Sequence, residues 1–275
     1  MPRTFIIAEA GINHNKDIEF AFELCNAAKN AGADAVKFQT WVTDLIYTKD
    51  NPRYKMLKEL EMPFDFFREI KKYCDDIGIM FLSTPDDIES LNFLIDELKM
   101  PIIKVGSANL INKPFLKAVI NKNNPVILST GMGNEQEFLW ALWLIHSELK
   151  FKNKIAYLHC VSCYPTDYFE VNLNCISTLK KWVNNIPNAS IGFSDHTIGI
   201  EIPIAAVIMG ASVIEKHLTI NRNLPGPDHK ASLEPKEFKA MVTAIRHAEE
   251  AMGDGIKRPC LREIEIKDMV RIKGV

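Results

Sequence analysis

Ionisable residues crowd one stretch of the chain, VIEKHLTINRNLPGPDHKASL (213–233), among them Glu215, Lys216, His217, Asp228, His229 and Lys230. Carboxylates, ammonium groups and imidazoles at that density offer proton donors, proton acceptors and metal ligands. A surface loop has no folding need for them, and loops that collect such groups carry function. Pro225, Gly226 and Pro227 stiffen the segment between His217 and Asp228.

Three further kinds of chemistry are spread along the chain. Lys37 and Lys104 each sit inside an apolar run, where an ammonium needs an anion. Ser83, Thr84, Ser107 and Ser129 fall at comparable places, and lysines with hydroxyls suit a carboxylate or a phosphate. The structural alternative is that both lysines pair with Glu9 and Glu215. His196 and His217, with Asp195 and Glu215 beside them, suit Mn²⁺, Zn²⁺ or Fe²⁺; two hydrogen-bonded histidines are the plainer reading. Glu9 ends an apolar run, where burial would raise its pKa into the range of a general acid or base. Cys160 and Cys163 form a C-x2-C without the second pair that a zinc site needs, and they read as residues at a strand end.

Something must hold these groups together. Short apolar runs alternate with helical patterns: Phe5–Ala8, then a helix over 18–31 closed by Gly32; Ala35–Phe38, then a connection over 40–62 and a helix over 64–77. Later runs at 79–82, 102–105, 126–128, 155–158, 190–193 and 213–214 each precede a helical segment, the last starting at Pro235. Eight strand–helix pairs in 275 residues predict an α/β fold, a (β/α)8 TIM barrel over residues 1–255 with a short tail over 256–275. No G-x-G-x-x-G follows the first strand, which counts against a dinucleotide fold. In such a barrel, catalytic groups gather at the C-terminal ends of the strands. All eight runs end in polar or ionisable residues, whereas turn formers lead into them. That asymmetry supports both the fold and a catalytic face.

Composition excludes other classes. Hydrophobic residues make up 47% and charged residues 25%, with a formal net charge of -2 and no basic stripe for nucleic acid. No signal peptide or membrane span is legible. Six unevenly spaced cysteines predict a reducing cytoplasm.

The segments IAEAGINHN (7–15), DAVKFQT (34–40), FLSTP (81–85), KVGSAN (104–109), LSTGM (128–132), LHCVSCYPT (158–166), IGFSDHTIG (191–199) and EKHLTINRNLPGPDHKASLEP (215–235) resemble the sialic acid (N-acetylneuraminate) synthase family. The resemblance runs in order from residue 5 to about 255. It implies condensation of phosphoenolpyruvate with an N-acetylated hexose such as N-acetylmannosamine, giving a nonulosonic acid and phosphate. It further implies a divalent metal, Mn²⁺ foremost with Mg²⁺ or Co²⁺ as alternatives, held by His196 and His217. By the same resemblance Lys37, Ser83, Thr84, Lys104, Ser107, Ser129, Ser162 and Ser194 hold phosphoenolpyruvate. Glu9 and Glu215 handle protons or the activated water, and Gln39, Tyr164 and Asp228 face the sugar.

Two departures bear on the sugar: Asn109 stands where many members are acidic, and Ser162 where some have asparagine. The family's C-terminal antifreeze-like (SAF) domain is not found by Val275. In the family's dimer that domain supplies an arginine to the N-acetyl group. The resemblance therefore implies a homodimer capped by a separately encoded domain, a different substrate, or Arg262 or Arg271 of the tail in its place. The alternatives are a synthase of 3-deoxy-sugar acids acting on a phosphorylated sugar, a metal-dependent barrel aldolase or hydrolase, and an inactive partner subunit.

Overall fold

In the computed structural model, which describes residues 3–272, eight parallel strands form one sheet rolled into a nearly closed barrel. They are β1 (Phe5–Gly11), β2 (Ala35–Thr40), β3 (Met80–Pro85), β4 (Ile103–Val105), β5 (Val126–Ser129), β6 (Ile155–Cys160), β7 (Ala189–Asp195) and β8 (Val213–His217). The ladder runs β3-β2-β1-β8-β7-β6-β5-β4. Its two end strands lie side by side with no ladder pair between them. At that seam the Ser83 amide turns to the Met100 thioether, 3.1 Å away. Both faces of the strands are covered, so their residues are buried almost throughout, as parallel sheets require.

The barrel helices follow from local chemistry. Helix α1 (Ile18–Ala31) starts at Asp17, whose carboxylate accepts from the Glu19 and Phe20 amides. It ends at Gly32, with φ 86°, where a side chain would strain the backbone. After β2 come two short helices, α2 (Thr43–Ile46) and α3 (Tyr54–Leu60), in the segment read from sequence as a plain connection. They expose most of their residues, so no apolar periodicity betrayed them. Then follow α4 (Phe64–Ile77), α5 (Ile88–Asn92, continued by a π-helical turn over Phe93–Glu97), α6 (Lys113–Asn121), α7 (Glu135–Trp143, with a second π turn over Leu144–Glu148), α8 (Asn174–Val183), α9 (Glu201–Ile208) and α10 (Pro235–Ala251). One apolar core reaches from Ile6 to Ile245. Residues 251–272, including α11 (Leu261–Val270), are exposed. No helix among the described residues is long and apolar enough to cross a membrane.

The strands outrun the apolar segments that announced them. β1 continues through Glu9 to Gly11, and β8 through Glu215 to His217. The residues meant for chemistry are thus held by ladder hydrogen bonds and not by loops.

Candidate active site

Strand register decides which side chains meet. Glu9 on β1 aligns with Lys37 on β2 and with His217 on β8. Gln39 aligns with Thr84, Cys160 with Ser194, and Ser194 with Glu215. Because successive side chains point to opposite faces, these positions share the barrel interior. Together with Lys104, Ser107, Ser129, Ser162, Tyr164 and His196 they line a cavity of about 470 Å³. It opens at the C-terminal ends of the strands, where barrel enzymes carry their chemistry.

An alternating set of charges fills its floor. Lys37 Nζ lies 2.5 Å from Glu9 Oε2 and 3.7 Å from Glu215 Oε2, and Lys104 Nζ lies 3.5 Å from Glu215 Oε1. Lys37 also donates to Thr84 Oγ1 (2.7 Å), Lys104 to Ser129 Oγ (2.8 Å) and Ser194 Oγ to Glu215 Oε1 (2.9 Å). Burial drives the Glu9 carboxyl up to about 7 against the pull of Lys37. Burial would raise Glu215 as well, but Lys104, Lys37 and the Ser194 hydroxyl outweigh it and bring that carboxyl down to about 2. Two neighbouring glutamates thus differ in charge near neutrality, and such a split assigns acid–base roles. The two lysines face one firmly ionised carboxylate, Glu215, and one, Glu9, that titrates near neutrality.

The pairing of both lysines with Glu9 and Glu215 is therefore present, yet it is incomplete. Among the described residues, buried Glu215 Oε2 and His217 Nδ1 in this wall have no hydrogen-bond partner, and Glu9 Oε2 meets only the Lys37 ammonium. A network kept only for stability would satisfy them.

The two histidines face each other with ring centroids 5.4 Å apart, and the Tyr164 ring lies 4.0 Å from that of His196. His196 Nδ1 lies 2.6 Å from the Val161 carbonyl, which only accepts, so Nδ1 carries the proton and Nε2 keeps its lone pair. Burial, aided by the nearby His196, holds His217 well below the usual imidazole pKa and therefore neutral. Asp228 Oδ2 stands 3.8 Å from His217 Nδ1. These are ligands of the right type for a divalent cation, and burial keeps His217 neutral for that role. No group of three or more His, Cys, Asp or Glu residues suited to a metal occurs among the described residues. Two nitrogens would leave the remaining positions to water and substrate oxygens, as open catalytic sites do.

Several expectations need correction. Ser83, expected to bind the anion, is fully buried on the opposite face of β3 and shares a hydrogen bond with Thr40 Oγ1 (2.7 Å); only Thr84 turns inward. Asp195, expected beside the histidines, points out of the barrel and pairs with Lys216 at 2.5 Å. Lys216 also donates to the Thr197 carbonyl, and Asp195 accepts from the Thr197 amide and hydroxyl. Asp228 adjoins the cavity without lining it. A Cβ on Gly11 (φ 52°) would lie 3.4 Å from Asp228 Oδ2, 3.1 Å from Glu9 Oε1 and 3.4 Å from Gln39 Nε2, so these three groups converge over a glycine. Arg262 and Arg271 are exposed and line no part of the cavity.

Sequence reading missed Arg53, Asp86 and Met132 in the wall and gave Cys160 no role there. Asp86 follows FLSTP directly and could have been found from the phase of β3. Arg53 reaches the cavity from the α2–α3 segment and left no signal.

A family model described as the NeuB family matches residues 24–257. The chain belongs to the NeuB family. This NeuB-family chain is 41% identical to the N,N'-diacetyllegionaminic acid synthase of Campylobacter jejuni, over 98% of the chain and 84% of that protein. It is 36% identical to the human N-acetylneuraminate-9-phosphate synthase, over 93% of the chain and 74% of that protein. A crystal structure of the N-acetylneuraminic acid (sialic acid) synthetase of Leptospira borgpetersenii in complex with citrate superposes with a TM-score of 0.87 at 35% identity. It covers 97% of this NeuB-family chain and 91% of its own.

Proposed function

We propose that the chain condenses phosphoenolpyruvate with an N-acetylated hexose, such as N-acetylmannosamine, to give a sialic-type nonulosonic acid and inorganic phosphate. The observation that carries this reading is one cavity in which an anion floor (Lys37, Lys104, Thr84, Ser129) adjoins two facing histidines and the Glu9–Gln39–Asp228 corner. The relatives are named for sialic-type acids, so the 3-deoxy-sugar-acid and aldolase or hydrolase alternatives are not favoured.

Lys37 and Lys104 neutralise the phosphoenolpyruvate anion, while the Ser107, Ser129, Ser162 and Ser194 hydroxyls orient it. A divalent metal at His196 and His217, Mn²⁺ foremost, would supply Lewis-acid polarisation of the acceptor aldehyde. Gln39, Tyr164 and Asp228 hold the open-chain sugar with its aldehyde carbon toward C3 of phosphoenolpyruvate. As the C–C bond forms, positive charge grows at C2, and ionised Glu215 stabilises it. Glu9 gives its proton to the former aldehyde oxygen. The resulting carboxylate takes a proton from the water that adds at C2. Cleavage of the bond between C2 and the phosphate oxygen then forms the C2 carbonyl, and phosphate leaves with the hydroxyl proton.

The test is phosphate release by the purified protein with phosphoenolpyruvate, Mn²⁺ and a panel of amino sugars; silence with every sugar would sink the reading. His217→Ala should abolish Mn²⁺ binding in calorimetry. Unchanged Mn²⁺ binding in that variant would mean the ligand set is wrong.

A further inference from the structure

The two histidines assigned to the metal must keep a fixed separation, and the sheet alone does not fix it. β7 ends at Asp195, so His196 lies one residue past the strand. The β7–β8 pairing runs through Phe193↔Ile214 and Ser194↔Glu215 and stops at Asp195↔Lys216, one residue short of both imidazoles. Beyond that point the two segments are tied to different neighbours. His217 aligns with Glu9 of β1, and its carbonyl accepts from the Leu233 amide (2.9 Å). The His196 carbonyl accepts from the Thr166 amide (2.9 Å), in the loop after β6.

Ring hydrogen bonds do not close the gap. A metal-ligating histidine ordinarily gives its second nitrogen to a carbonyl or carboxylate, which sets the ring. His196 has such a partner in the Val161 carbonyl, but His217 Nδ1 has none. Asp228 Oδ2, at 3.8 Å, is beyond hydrogen-bond reach. The place of His217 therefore depends on its backbone.

Three residues carry the connection past the end of the ladder. Lys216, directly before His217, sends its ammonium across to Asp195 Oδ2 (2.5 Å) and to the Thr197 carbonyl (2.5 Å). Asp195 in turn receives the Thr197 amide at Oδ1 (3.0 Å) and the Thr197 hydroxyl at Oδ2 (3.1 Å). The residues on either side of His196 are thus bound to the residue before His217. All three are buried. An ion pair this deep is a poor source of stability, because desolvation of both charges offsets most of their attraction. What it supplies is direction, through short charged hydrogen bonds between two strand ends.

Resting on the metal assignment above, we infer that Asp195, Lys216 and Thr197 are positioning residues of the metal centre. Their clasp sets the spacing of His196 and His217 from outside the barrel, without touching metal or substrate.

The test is Mn²⁺ affinity by calorimetry, read beside urea unfolding of the metal-free protein. Lys216→Met should lower the unfolding midpoint and weaken Mn²⁺ binding by about 10–100-fold, the usual effect of losing a partner behind the ligands. The double variant, Asp195→Asn with Lys216→Met, removes both charges together and keeps an acceptor for the Thr197 amide. Its midpoint should lie nearer wild type, since no lone charge stays buried, while Mn²⁺ binding remains weakened by at least about tenfold. Thr197→Val keeps the side-chain shape and should weaken Mn²⁺ binding by less. Leu24→Ala hollows the core beneath α1 and alters no residue of the site. It should lower the midpoint with Mn²⁺ affinity held within about twofold. Affinity that recovers with the midpoint in the double variant would overturn the inference and leave the synthase reading standing. Wild-type affinity in both the double variant and Thr197→Val would do the same, even if Lys216→Met fails to fold. Failure of the wild type to bind Mn²⁺ would bring down the metal assignment and this inference together.

Discussion

Two buried ionic networks lie on opposite faces of the same sheet, meeting at β8, and they are built differently. Outside the barrel, Lys216, Asp195 and Thr197 close on one another: the ammonium meets a carboxylate and a carbonyl, and the carboxylate also takes an amide and a hydroxyl. Inside, Lys37, Glu9, Glu215 and Lys104 form a chain of contacts from 2.5 to 3.7 Å that leaves Glu215 Oε2 without a hydrogen-bond partner. A closed network holds a fold. An open one keeps bonding capacity in reserve for a ligand. The outer clasp also ties the ends of β7 and β8, each beside a histidine of the proposed metal centre.

The sharpest way to break this contrast is at Glu9. Glu9→Gln should lower phosphate release by about 10²–10⁴-fold, the usual contribution of a positioned acid or base. Its stability should move the other way. Burial raises the native carboxyl from 4.5 to about 7, so between those values the folded protein holds a proton that the unfolded chain has released. The contribution of Glu9 to stability therefore falls as pH rises through that window. Urea unfolding of metal-free protein across pH should show the glutamine variant gaining on wild type from pH 4.5 to 7. A constant difference would contradict the assigned protonation.

Lys216→Met tests the closed network. It leaves Asp195 buried without its cation, and the expected loss is about 3–5 kcal/mol of unfolding free energy. Turnover of the folded fraction should fall far less than in Glu9→Gln. Gly131→Ala probes the anion pocket: the added Cβ would lie 2.4 Å from Ser162 Oγ and 2.8 Å from Ser107 Oγ. We expect the KM for phosphoenolpyruvate to rise about tenfold, with little change in unfolding midpoint. The smallest effect belongs to the pair Ser83→Ala and Thr84→Ala. The first should cost about 1 kcal/mol of stability and leave the KM for phosphoenolpyruvate unchanged, and the second should raise that KM. Equal kinetic effects would erase the distinction between the two faces.

Strand number and order of elements were legible because short apolar runs alternate with capped amphipathic helices. Which strand-end residues face inward was less so. A parallel strand buried on both faces has no hydrophobic alternation from which to read its phase, so Ser83 and Thr84 looked alike, as did Asp195 and Glu215. In β1 the register also shifts between Glu9 and Gly11. Lys37 and Lys104 stood out because an ammonium in an apolar run is conspicuous whatever the phase, and His196 and His217 because they close two adjacent strands with carboxylates beside them. Arg53 was not, since its place depends on how α2 and α3 fold over the mouth. Asp86 waited on the phase of β3.

The unlatched seam between β3 and β4 has a consequence for how this barrel can diverge. The strands that carry Glu9, Lys37, His196 and Glu215 are each laddered on both sides. The loops after β3 and β4, which carry Asp86 and Asn109, spring from the one place where no ladder joins neighbours. Substitutions and insertions there can reshape the mouth while Glu9, Lys37 and Glu215 keep their register, although Thr84 and Lys104 stand on the seam strands themselves.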